Sequence, residues 1–182
     1  MGSRRKGRIL AFQALYSWDA FYSQTGNVSI PDGLLDFSWT ARDDDLPGAA
    51  QVGASEERDS PLDEEMTAFS RLLVTGTVEN IAAVDSMIQK HLENWELTRL
   101  NRVDLAVLRM SVYTLMFQTT MPPSIVIDEA IGIAKEFGTD DSYRFVNGVL
   151  DSIRKTLASP RVSDPRASAT GEKPEIRRRT VK

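Results

Sequence analysis

Arg4, Arg5, Lys6 and Arg8 open the chain with no acid among them, and Tyr16 follows about two helical turns later. Cationic side chains neutralise phosphates and an aromatic ring stacks on an unpaired base, so this pairing has the chemistry of single-stranded RNA recognition. A basic run at a terminus is more often a solvated, frayed end. Here it joins directly to an amphipathic helix, and the tyrosine falls off that helix's apolar stripe, which favours the binding reading.

Other chemistries are poorly supplied. The 182 residues include no cysteine and one histidine, His91, so disulfides, thiolate metal sites and cysteine nucleophiles are excluded, and histidine-based chemistry has little to work with. His91 itself reads as a polar residue at a helix C-terminus. The Asp43-Asp44-Asp45 run lacks the spacing of a calcium loop and reads as solvated surface. No catalytic residue, cofactor or metal is expected. The net charge of −4 conceals segregation, with basic ends around an acidic stretch at 41–65, which points to a local polyanion site. The apolar runs are amphipathic and the N-terminus has no signal-peptide core, so a cytoplasmic protein without a membrane span is expected.

The elements that would position these residues are helical, since no useful β-alternation occurs. Leu10, Ala11, Ala14, Leu15 and Trp18 recur at helical spacing, predicting a first helix to about Tyr22. Gly and Pro then break the pattern, predicting a long loop at about 26–60, with Leu34, Leu35 and Trp39 forming a short helical turn docked on the body. Ser60-Pro61 reads as an N-cap and first-turn proline. Met66, Phe69, Leu72 and Leu73 give the next buried face, interrupted at Gly76 and continuing through Val78, Ile81, Val84, Ile88 and Leu92 to Trp95. The segment 97–117 is apolar nearly all round, as a central helix must be. Its one interior charge, Arg109, needs a partner, with Asp104, Asp128 and Glu129 as candidates.

A helical hairpin over 122–157 completes the pattern. Ile125, Ala130, Ile133, Ala134 and Phe137 form the first stripe. Gly138 is expected to end that helix in the left-handed conformation, Thr139 to cap the next, and Asp140 and Asp141 to charge its first turn. Phe145, Val146, Val149, Leu150, Ile153 and Leu157 should be buried. Gly148 in mid-helix costs roughly 1 kcal/mol relative to Ala, which suggests close packing or close approach of a ligand. Residues 1–158 therefore read as one domain, and 159–182 as a disordered basic tail.

These segments resemble the NusB family of bacterial transcription antitermination factors. The likeness is carried by RRKGRILAFQALYSW at 4–18, LLVTGTVEN at 72–80, LENWELTRLNRVDLAVLRMSVY at 92–113 and VIDEAIGIAKEFGTDDSYRFVNGVLD at 126–151. The resemblance implies an all-α fold of about six or seven helices in two packed bundles. It also implies binding to boxA RNA of ribosomal RNA transcripts together with NusE, a small-subunit ribosomal protein, within the RNA polymerase antitermination complex. Carried over by position, the RNA-binding residues are Arg4, Arg5, Lys6, Arg8 and Tyr16, with Asp141, Phe145 and Asn147 in the last helix. Periodicity makes Phe145 a core residue, whereas the resemblance faces it to RNA. The competing reading is a non-catalytic helical adaptor or a homodimeric interaction module. An RNA cytosine methyltransferase carrying a domain of this kind would need catalytic cysteines and a cofactor domain that this chain lacks.

Overall fold

The chain folds, in a computed structural model that describes residues 2–41, 64–92 and 95–159, as six α-helices with no strand among the described residues. Helix α1 (Ser3–Thr25) runs one turn further than its apolar stripe and ends at Gly26, whose φ of 66° lets its N–H reach the Tyr22 carbonyl. Helices α2 (Glu64–Glu79) and α3 (Ile81–Lys90) follow, then α4 (Arg102–Phe117), α5 (Pro123–Phe137) and α6 (Ser142–Ala158). Asn101 starts α4 by accepting the Val103 N–H on its side chain at 2.9 Å, and Pro123 occupies the first turn of α5.

The all-round apolar segment is central, as expected. Helix α4 is buried from Asp104 to Thr114 and packs against all five other helices. One bundle joins α4 to α1, α2 and α3, and the other joins it to α5 and α6. Trp18, Leu15, Leu108, Ile133, Leu150 and Ile153 form the fully buried centre. No helix among the described residues is long and apolar enough to cross a membrane.

Between α1 and α2, a 3-10 turn at Ser38–Ala41 docks on the body. Trp39 Nε1 donates to the Leu34 carbonyl at 3.2 Å, and Arg71 Nε donates to the Leu35 carbonyl at 2.8 Å. The anchor is Phe37, fully buried with φ at 57°. A bulky residue in that region costs on the order of 1–3 kcal/mol, a cost comparable with what burying the ring contributes.

The structure corrects several sequence expectations. Gly76 does not interrupt its helix: it lies inside α2, where a Cβ would meet the Tyr113 ring at 2.1 Å, and the break falls at Asn80. Gly138 is extended (φ −93°, ψ −167°) and not left-handed; a Cβ there would come within 2.5 Å of the Ser142 side chain. Thr139 is not the cap of α6. The N-cap position falls on Asp141, and Ser142 Oγ accepts the Thr139 N–H at 2.9 Å. Ile125, Leu72 and Leu157, each placed on a buried stripe, are exposed, as is Trp95 at 56%. Arg109 pairs with Asp19 and Asp85, and not with Asp104, Asp128 or Glu129. The Ser60-Pro61 start, the acidic run and the tail from 160 lie outside the described residues.

Candidate nucleic-acid interface

The basic run occupies the first turns of α1, and its four members have different surroundings. Arg4 and Lys6 are exposed. The Arg4 guanidinium lies over the Phe69 ring of α2, 5.7 Å from its centroid. Arg8 approaches the same ring at 5.4 Å but is only 6% exposed, donating to the Arg4 carbonyl at 3.4 Å and lying against the Met121 sulfur at 2.8 Å. Burial pushes the Arg8 guanidinium below its ordinary value, with Glu129 opposing the shift and Arg4 adding to it. Gly7 lets the ring in, since a Cβ there would touch Phe69 at 2.9 Å.

Arg5 turns the other way, toward α5. Its Nη1 donates to Glu129 at 3.4 Å and its Nη2 to Glu136 at 3.2 Å. Gly132 makes the space, because a Cβ would lie 2.7 Å from Arg5 Nη1. Contacts to both α2 and α5 thus order the run, and its two exposed cations are Lys6 and Arg4, the latter resting on Phe69. Tyr16, two turns on, is 40% exposed and off the buried stripe, as its spacing predicts.

The α6 residues lie elsewhere. Asp141 and Asn147 are exposed, and Asp141 holds Arg144 at 3.2 Å. Phe145 is half-buried: it packs on the core edge yet lines a surface groove of about 390 Å³ with His91, Leu92, Trp95, Arg144, Gly148, Val149 and Ser152. His91 caps α3 as expected, and its Nδ1 shares a 2.9 Å hydrogen bond with Ser152 Oγ. Neither Tyr16 nor any of the four basic residues lines this groove. The predicted residues therefore fall into two groups, one on α1 and one on α6.

Sequence reasoning missed Trp95 and Arg144 as surface partners of Phe145, because Trp95 continued an apolar stripe and Arg144 is an ordinary helix charge. It also missed Phe69 as the platform for the arginines. Gly148 was the available signal for the groove.

Residues 5–155 match the family model described as the NusB family. The transcription antitermination protein NusB of Treponema denticola is 49% identical over 151 residues, covering 83% of this chain and 95% of that protein. Among solved structures, T. maritima NusB superposes with a TM-score of 0.63 at 32% identity, covering 84% of this chain and 90% of that one. A chain of the crystal structure of antitermination factors NusB and NusE in complex with dsRNA gives 0.64 at 28% identity, covering 86% and 98%.

Proposed function

The chain belongs to the NusB family, and on that premise we propose that it is an RNA-binding transcription antitermination factor. It binds boxA RNA of ribosomal transcripts together with NusE and supports processive transcription by RNA polymerase. The observation that carries this reading is the likeness to the NusB–NusE–dsRNA structure, which extends over nearly the whole of that chain. The family match begins at the basic run itself.

In this reading Arg4 and Lys6 meet phosphates directly, while Arg5 and Arg8 chiefly hold the arm in place. Tyr16 offers an exposed ring on the same helix. Phe145, with Asp141 one turn before it, forms a second RNA-facing patch at the start of α6, and Asn147 adds an exposed polar side chain on another face of the same helix. Asp141 repels phosphate, so its part is to accept from a base edge or to hold Arg144. The factor is non-catalytic and works in the cytoplasm on the emerging transcript, which fits the activity for which its relatives are named.

Gel-shift titration with boxA RNA and a scrambled RNA of equal length, each with and without NusE, tests the proposal. Preference for boxA that strengthens when NusE is added is the expected outcome. Equal affinity for both RNAs with no gain from NusE would refute it.

A further inference from the structure

The glycines inside the helices divide into two kinds. A Cβ on Gly7, Gly76 or Gly132 would meet a neighbouring side chain at under 3.0 Å, so internal packing explains each of them. Gly148 has nothing within 4 Å of that position, so its cost to α6 has no internal reason. The missing side chain faces the groove between the end of α3 and α6. Trp95, at 56% exposure the most exposed of the large apolar side chains among the described residues, stands in the same groove.

We propose that this groove seats one unpaired RNA base, with Trp95 and Phe145 as its aromatic wall and Gly148 as the gap that admits the ring. The proposal rests on the RNA-binding reading and adds Trp95, Gly148 and Arg144 to it. Leu92 and Val149, both buried, give an apolar floor. His91 and Ser152 place polar atoms at the edge, where a base carries its donors and acceptors. Arg144 stands at the rim as the groove's cation. Its pairing with Asp141 is highly exposed and therefore weak, and its guanidinium lies over the Tyr143 ring at 5.3 Å, an exposed seat from which it can turn to a phosphate. Aromatic wall, cation and polar edge together match a nucleotide better than an apolar peptide side chain.

Two variants of the full-length chain test this, using single-stranded boxA RNA, its duplex, and NusE alone as probes. Trp95→Ala is expected to weaken single-strand binding roughly tenfold, as loss of one stacking partner does. Gly148→Ala is expected to melt no lower than wild type while binding RNA several-fold more weakly, a combination that misfolding cannot produce. Abasic substitution along the RNA should find one position at which wild type and Trp95→Ala bind equally. If both variants bind within about twofold of wild type while Lys6→Ala is weakened, the base seat is overturned and the RNA reading stands. If the variants lose NusE and keep RNA, the occupant is protein and the proposal fails. If wild type binds none of the RNAs, both readings fail together.

Discussion

Arg109 and Asp19, ninety residues apart in sequence, meet as a buried ion pair between α4 and α1, each side chain less than a tenth exposed. Asp85 of α3 completes the arrangement, accepting from Arg109 Nε and Nη2 at 2.8 Å each. Burial lowers the Arg109 pKa, but Asp85 and Asp19 together carry it above the ordinary value, so the guanidinium is held charged. One fork thus ties three helices of the first bundle. Arg109→Leu strands two carboxylates and should cost about 3–5 kcal/mol in urea unfolding. Arg109→Lys should recover only part of this, since an ammonium cannot make the forked contact. A Leu variant with the wild-type midpoint would contradict the account.

Asp104 makes a pH-dependent contribution to stability. It is 7% exposed in the first turn of α4, and burial raises its carboxyl above the usual carboxylate range, a hydrogen bond from Ser142 opposing this. A folded-state pKa above the unfolded one means that the folded chain holds the proton more tightly. That contribution is present below the ordinary carboxylate value and is lost as pH rises through the raised one. Asp104→Asn does not titrate, so its stability relative to wild type should improve from about pH 4 toward neutrality. Melting curves of both proteins across that range check this; a constant difference between them would refute it.

Gly76→Ala reverses the usual sign of a helix substitution. In an open helix the change stabilises by about 1 kcal/mol. Here the new methyl would collide with the Tyr113 hydroxyl at 2.0 Å, and that hydroxyl also accepts from Gln118 Nε2 at 3.1 Å. A net loss of about 1–3 kcal/mol is expected from overpacking. A variant at least as stable as wild type in thermal melting would show that Tyr113 moves freely.

The basic run should act as fewer charges than its sequence contains. Four phosphate contacts on a single strand would give a slope of log affinity against log salt near −3, whereas two give roughly −1.4. The basic run's own share is expected to be the lower value, with Arg4→Ala and Lys6→Ala each removing about half of it. Arg5→Ala should leave the slope nearly unchanged, and Arg8→Ala should lower the melting temperature. A wild-type slope near −3 would mean that Arg5 and Arg8 leave their protein partners when RNA binds.

Tyr16→Ala separates binding from stability. The ring is off the core, so melting should shift by little, while boxA affinity should fall about tenfold if the ring stacks on a base. Unchanged affinity in a gel shift would remove Tyr16 from the interface.

Most of the fold was legible because helical periodicity reports burial on one face. The stripe of α1 and the all-round burial of α4 both appear as read. The errors lie where a local pattern was overruled by a neighbour far along the chain. Gly76 looked like a breaker because Tyr113, which needs its space, comes 37 positions later. The acids that pair with Arg109 sit on helices whose approach no spacing reveals. Trp95 continued a stripe past the end of its helix, where periodicity has no further meaning. Phe37 had no periodic context at all. For the site, chemistry and spacing pointed to the basic run and Tyr16, and resemblance pointed to Phe145. That three of the four cations are engaged by Phe69, Met121, Glu129 or Glu136 depends on tertiary packing alone.

Phe69 orders the arm in advance of any ligand. Because Arg4 and Arg8 rest on one ring, the arm has surrendered much of its side-chain freedom before any RNA arrives, and association loses correspondingly less entropy there. Contact with an aromatic face does not rely on a counter-ion, so salt that weakens the partly exposed Arg5 pairs should leave this ordering in place. The N-terminal arm is therefore a rigid template and not a tether that searches for its ligand.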